Sequence, residues 1–276
     1  MKSYLKTNDF FLSNEAFELL YDETLDMLVT SPRPIDIEKY YDTDNYISHS
    51  DGENTLLEKV YQSIKKRNLQ KKVALIEKFA RDGKTLLDVG AGTGDFLRRA
   101  KNNGWKVFGV EPNANARKLA SQKKIDLEGD LDTIQEMKFS VITLWHVLEH
   151  LPNLEENIGR LSHILEEGGA LIVAVPNFKS YDAKYYGRFW AAYDVPRHLW
   201  HFSRTAISRL FLKQGMELKK VKPMWFDSFY VSLLSEEYKT GKKNWIKAGV
   251  LGLVSNIRGM ITKEYSSHIY ILQKSK

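Results

Sequence analysis

Apolar residues along the chain change period repeatedly, and each change predicts an element. From Thr55 to Phe79 the residues Leu56, Leu57, Val60, Ile64, Val73, Ile76 and Phe79 recur at helical spacing, and Arg81-Asp82-Gly83 ends that helix. The apolar run Thr85 to Val89 then reads as a strand, followed by a glycine-rich turn and a helix over Asp95 to Asn103, with Gly104 in the C-cap position. Lys106 to Val110 is a second strand, and Asn113 can N-cap a helix running to Ser121. A short third strand is expected at Ile125 to Leu127 and a fourth at Phe139 to Leu144. A helix over about Leu154 to Glu166 stops at Gly168-Gly169, and Ala170 to Val175 forms a fifth strand ending at Pro176-Asn177. Ser203 can cap a helix to Lys213, Glu217 to Val221 is a sixth strand, and His268 to Leu272 is the last. This alternation predicts an α/β fold with a doubly wound, mostly parallel sheet, whose ligands bind at the carboxyl ends of the strands.

Two segments break the pattern. Residues 1–50 are aromatic and acidic, and Phe17 to Tyr21, Asp22-Glu23-Thr24 and Leu25 to Val29 read as a hairpin ahead of Ser31-Pro32-Arg33-Pro34. They are expected to form an N-terminal arm, with the main domain over 51–276 and insertions at about 178–202 and 225–265. Tyr40, Tyr41 and Tyr46 read as aromatic core, with closure over a ligand as the alternative. The apolar stretch Trp245 to Ile261 is interrupted by Lys247, Asn256 and Arg258, too often for a membrane span. It reads as an inserted helix against a substrate pocket, with a membrane-surface helix or a dimer contact as alternatives.

Composition narrows the chemistry. Among 276 residues there is no cysteine, which excludes disulfides, Cys-ligated metal sites and a cysteine nucleophile. The 41 basic residues exceed the 35 acidic ones by six, and they fall in small groups such as Lys65-Lys66-Arg67, Lys71-Lys72, Lys123-Lys124 and Lys242-Lys243. Solvated faces explain these groups better than a nucleic-acid footprint. The N-terminus (MKSYLKTNDFFLSNEAF) has no continuous apolar run of the kind a signal peptide carries. The expectation is a soluble, cytoplasmic protein without stable membrane insertion.

The informative turn is Asp88-Val89-Gly90-Ala91-Gly92-Thr93-Gly94. Glycine lets a backbone close on a ligand, and the following helix start offers N–H groups to an anion. The spacing is GxGxG and not GxGxxG, because position 95 is Asp95. Glu111 ends the second strand, where a carboxylate can accept both hydroxyls of a ribose, and Asp130 follows the third. The three acids around the turn make a stronger signal than the glycines alone.

The runs LLDVGAGTGDFL, FGVEPN, FSVITLWHVLEHLPN and LSHILEEGGALIVAVPN resemble the class I S-adenosylmethionine-dependent methyltransferases. They are most similar to the type 23 methyltransferase-domain branch that includes the ubiquinone-biosynthesis O-methyltransferases. The resemblance spans about residues 55–225. It implies a Rossmann-like seven-stranded sheet with helices on both faces and an antiparallel last strand. It also implies S-adenosylmethionine as cofactor and S-adenosylhomocysteine as product. Asp88, Gly90, Ala91, Gly92 and Gly94 would surround the methionine part. Glu111 would bind the ribose beside Pro112 and Asn113, Asp130 and Leu131 would meet the adenine, and Trp145 and His146 would line the sulfonium. An aromatic face such as Trp145 suits that cation. Relatives often carry a cysteine zinc knuckle near the position of Tyr21 to Pro34; without cysteine, any such knuckle here lacks metal.

His146-Val147-Leu148-Glu149-His150 formally matches the HxxEH pattern of zinc hydrolases, but Leu151-Pro152 ends the turn at once, so no metal is expected. Asp194-Val195-Pro196-Arg197-His198-Leu199-Trp200-His201 follows an aromatic insertion that can roof the pocket. His146 and His198 are the candidate bases for taking a hydroxyl proton during methyl transfer, with bracing of the loop as the other role for His198 and His201. The expected partner is a small molecule with an oxygen acceptor. An RNA-directed enzyme, a non-catalytic binding module and an NAD-dependent oxidoreductase are the alternatives. Absence of an NPPY-like motif after Leu144 weighs against the first, and Asp95 against the last.

Overall fold

The computed structural model describes residues 1–41, 56–80, 83–134 and 136–274. Three strands open the chain, β1 (Lys2–Asn8), β2 (Ala16–Asp22) and β3 (Met27–Ser31). The long helix α1 (Leu56–Ile76) leads into β4 (Thr85–Val89), α2 (Asp95–Lys101), β5 (Lys106–Val110), α3 (Ala114–Gln122), β6 (Phe139–Trp145), α4 (Leu154–Ile164) and β7 (Leu165–Pro176). There follow α5 (Tyr181–Tyr186), β8 (Trp200–His201), α6 (Arg204–Leu212), β9 (Met216–Pro223), α7 (Asp227–Thr240), α8 (Trp245–Thr262) and β10 (Ser267–Lys274).

The alternating part forms one sheet in the order β5–β4–β6–β7–β10–β9, with β4 parallel to both β5 and β6. It has six strands where seven were expected. The segment 125–127 contributes no strand. Beside it a single parallel bridge joins Val110 to Glu128, because only Ile125 of this short run is fully buried between exposed polar neighbours. Strand β7 starts five residues before Ala170, running through Gly168 (φ 71°). A Cβ on Gly169 would lie 2.9 Å from the Ser140 carbonyl, so glycine permits this close approach to β6. Leu86, Leu87, Val141, Ile142 and Leu171 to Val175 are completely buried, the continuous apolar burial expected of strands covered on both faces.

The expected hairpin is present: β2 and β3 pair antiparallel from Glu18↔Ser31 to Asp22↔Met27. It belongs to a second sheet in the order β1–β2–β3–β8, in which Leu28 faces His201 and Val29 faces Trp200. By contacts the chain divides into two compact units: Met1–Tyr41, His146–Ile158 and Val173–Leu272 in one, the remainder in the other. The first 41 residues share that unit with the later segments that supply β8. Phe17, Leu19, Leu28 and Tyr40 pack in one apolar cluster with Phe178, Trp190, Tyr193 and Val195, which gives Tyr40 the core role. Tyr46 and the end of the expected arm lie outside the described residues.

Candidate functional site

In the unit that holds β4 to β6, the glycine turn is built by backbone hydrogen bonds. Gly90, Gly92 and Gly94 take φ of 69°, 55° and 74°, the left-handed region that glycine reaches without strain. The N–H groups of Gly90 and Ala91 donate to the Val110 carbonyl at 2.8 and 3.0 Å, which ties the turn to the end of β5. There Glu111 accepts from the Gly92 N–H through Oε2 at 2.8 Å and from the Asn113 N–H through Oε1 at 3.0 Å. Asn113 in turn caps α3, its Oδ1 accepting from the Ala116 N–H at 2.9 Å, as its position before the helix predicted. The Pro112 carbonyl accepts from Arg117 Nη1 at 2.7 Å. One carboxylate thus joins both loops, and Gly109 beneath it has no room for a Cβ, which would lie 2.5 Å from Leu97 and Leu127.

Asp88 is buried at the end of β4 and accepts from Thr143 Oγ1 at 2.6 Å. Burial pushes its carboxyl up to about 7, against the opposing pull of the Thr143 hydroxyl and the Lys72 charge. Trp145 ends β6 with Phe96 edge-on at 5.9 Å and the Lys72 ammonium 4.2 Å from its ring centre. Its indole N–H is buried and has no hydrogen-bond partner among the described residues. Asp130 is exposed and receives the Asp132 N–H at 2.8 Å, and Leu131 starts a short 3-10 turn beside it.

His146, His150, His198 and His201 lie in the other unit. The backbone turns sharply at His146, which takes φ +57°, a left-handed conformation uncommon for this residue. Its Nδ1 lies 3.4 Å from Glu149 Oε1 and its Nε2 lies 3.3 Å from Asp227 Oδ2 at the start of α7. Burial works to lower the imidazole pKa, but the two carboxylates outweigh it and push it up to about 10. His146 is therefore an imidazolium at neutral pH. As Leu151-Pro152 implied, no helix carries His146 and His150 together: a single 3-10 turn, Leu148–His150, follows His146, and the two rings meet different partners.

His150 Nδ1 sits 3.0 Å from the Arg197 carbonyl and 3.2 Å from the Tyr41 hydroxyl. Burial and the neighbouring His198 push its pKa down to about 4, so the ring is neutral. His198 stacks edge-on against it at 4.6 Å, with its own Nδ1 2.9 Å from the Ala192 carbonyl and its Nε2 3.9 Å from Asp194. His201 Nε2 meets Thr30 Oγ1 at 3.0 Å, and that hydroxyl donates to the His198 carbonyl at 2.6 Å, so His201 braces β8 against β3. Arg197, 1% exposed, holds the loop by donating to Asp194, Asp9 and the Tyr40 carbonyl. The side chains of Glu149, His150 and His198 bring ligand-capable atoms within 4.8 Å of one another, a grouping that spacing alone did not reveal. Lys72, Thr143 and Asp227 were also missed. Each reaches its partner across 55 to 81 residues, a separation with no periodic signature.

Residues 61–221, more than half of the chain, match a family model described as a methyltransferase domain. A ubiquinone biosynthesis O-methyltransferase of Bradyrhizobium sp. is 29% identical over 147 residues, covering 46% of this chain and 58% of that protein. An uncharacterized methyltransferase of Anoxybacillus flavithermus is 27% identical over 169 residues, covering 58% and 71%. This chain spans about half the length of several such curated relatives. Among solved structures, magnesium protoporphyrin IX methyltransferase of Synechocystis, determined with bound S-adenosylhomocysteine, superposes with a TM-score of 0.56 at 14% identity, over 86% of this chain and 97% of that one. A possible histamine N-methyltransferase of Thermotoga maritima gives 0.51 at 18% identity over 75% and 89%. At such identities these two likenesses speak for the fold alone.

Proposed function

Because the chain belongs to the methyltransferase-domain family, we propose that it is an S-adenosylmethionine-dependent methyltransferase acting on an oxygen of a small-molecule acceptor. The observation that carries this reading is Glu111, whose carboxylate is fixed at the end of β5 by the N–H groups of Gly92 and Asn113. Each oxygen spends one lone pair on the backbone and keeps another for a ribose hydroxyl. The unpartnered indole N–H of Trp145 gives the fit a second support, since a buried donor without an acceptor calls for one.

Bound S-adenosylmethionine supplies an electrophilic methyl on a sulfonium that is already a good leaving group. The chain's own residues then bind, orient and exclude water. Gly90, Ala91, Gly92 and Gly94 keep the loop bare of side chains that would obstruct the methionine part, and Asp88 offers a carboxylate to its ammonium. Leu131 supplies an apolar edge for adenine and Asp130 an acceptor for its amine. The Trp145 face already accommodates the Lys72 cation, so it suits a sulfonium as well. We assign His146 a positioning role in place of that of base, because an imidazolium held between Glu149 and Asp227 has no lone pair to take a proton. The base is then His198, whose Nδ1 is anchored on the Ala192 carbonyl while Nε2 keeps no hydrogen bond shorter than its 3.9 Å approach to Asp194.

Titration calorimetry of the chain with S-adenosylmethionine and, separately, NAD tests the reading. Micromolar binding of the former is expected, weakened about 100-fold by Glu111→Ala, which corresponds to ~3 kcal/mol for two hydroxyls bonded to a charged acceptor. Binding of NAD without S-adenosylmethionine would sink it.

A further inference from the structure

Helix α8 is built inside out. Its buried face is made of Ala248, Leu251, Gly252, Ser255, Asn256 and Gly259, mostly small or polar. The reason lies in the packing: a Cβ on Gly252 would come within 2.6 Å of Phe229 on α7, and one on Gly259 within 2.7 Å of Tyr265. The large apolar residues go to the other side. Ile246 is 84% exposed and Ile261 75%, with Val250, Leu253, Ile257 and Met260 about half exposed between them. Their spacing of four, three, four and three or four residues makes one continuous stripe along 18 residues, about 27 Å of helix. Trp245 at its start, and Trp225, Phe226 and Tyr230 at and before the start of α7, are exposed too. A soluble surface helix places its apolar face inward, so this stripe is a surface made to be covered.

Charge identifies the cover. Between Gly241 and Lys263 there are five basic residues, Lys242, Lys243, Lys247, Arg258 and Lys263, and no Asp or Glu. Lys243 and Lys247 pair with Glu237 and Glu236 of α7 at 3.6 and 3.0 Å, so Lys242, Arg258 and Lys263 make the net basic border. A second copy seated on the stripe would bring two such basic sets together, which like-charge repulsion opposes. An anionic lipid surface accepts both the apolar stripe and the basic border, with Trp245 at interfacial depth. No helix among the described residues is long and apolar enough to cross a membrane, so α8 would lie on the surface and not span it. We propose that α8 docks the protein onto anionic membrane surfaces, its Ile246–Ile261 stripe entering the headgroup boundary and Lys242, Arg258 and Lys263 meeting lipid phosphates.

Vesicle co-sedimentation of the full chain tests this, with phosphatidylcholine alone and with one third phosphatidylglycerol at low salt. Binding to the anionic vesicles is expected, at least tenfold above the neutral ones. Ile246→Glu with Ile257→Glu should lower it at least tenfold while circular dichroism and melting temperature stay unchanged, since both side chains are exposed. Lys242→Gln with Arg258→Gln should lower it about 25-fold, near fivefold for each charge removed. Three results would overturn the proposal: no binding to either vesicle, equal binding to both, or a concentration-dependent dimer that the isoleucine variant abolishes while vesicles are ignored.

Discussion

Replacing His146 by Gln removes one positive charge from between Glu149 and Asp227 and leaves the polar contacts possible. Glu149 has no solvent exposure, and neither of its oxygens has a hydrogen bond among the described residues. Its protonated neighbour is therefore what keeps the carboxylate tolerable. Breaking a buried pair by removing one partner costs about 3–5 kcal/mol. The His146 side chain is 35% exposed, so water screens part of that, and about 2 kcal/mol is the expected loss. The sign with pH follows from the pKa near 10 against an unfolded value of about 6.5. A raised pKa stabilises fully below about 6.5, and this contribution is lost as pH rises through 10. Urea unfolding at pH 6.5 should thus show a gap of about 2 kcal/mol between wild type and H146Q, narrowing by pH 10. In a Glu149→Gln background the gap should fall by at least ~1 kcal/mol, because the buried charge is gone. A gap below about 0.5 kcal/mol at pH 6.5, or a His146 imidazole that titrates near 6.5 by NMR, would refute the assignment of a fixed imidazolium.

Three further outcomes follow from the same geometry. Asp88, raised to about 7 in the folded chain, stabilises below about pH 4 and loses that contribution as pH rises through 7. A bound ammonium favours its ionised form, so affinity for S-adenosylmethionine should climb between pH 6 and 8, and calorimetry on Asp88→Asn should find that climb flattened. His198→Ala should cut kcat at least about 100-fold with cofactor affinity unchanged, and full turnover would end its role as base. The Glu149–His150–His198 group is expected to work without metal; a stoichiometric ion retained after zinc loading and dialysis, and lost in His198→Ala, would reverse that expectation.

Local chemistry was legible and distant pairing was not. The turn from Asp88 to Gly94, the Asn113 cap and Glu111 all interact within or beside their own loops, so residue type and spacing sufficed to place them together. The hairpin over Phe17 to Val29 was legible for the same reason, through alternation and a turn. Its pairing with Trp200–His201 was not, because a two-residue strand has no period to detect. The missing third strand is a length effect: residues 125–127 read as strand by composition, but the one bridge beside them falls on Glu128. The inverted helix α8 was visible as an apolar stretch, yet which side it buries depends on Phe229 and Tyr265, whose approach only the fold reveals.

His146 shows why residue type underdetermines a catalytic role. As a sequence symbol it is a group that titrates near neutrality and therefore suits proton transfer. In place, its two nitrogens face Glu149, three residues on, and Asp227, far along the chain, and the second of these cannot be foreseen from spacing. His150, His198 and His201 diverge from the same starting chemistry: His150 is pushed down to neutrality, His201 is tied to Thr30, and His198 rests its Nδ1 on the Ala192 carbonyl with Nε2 3.9 Å from Asp194. What distinguishes a base from a brace in this cluster is which carboxylate or carbonyl each ring has already met. A substitution series must therefore change partners as well as histidines, and the pair Glu149→Gln and His198→Ala separates the two by stability and turnover respectively.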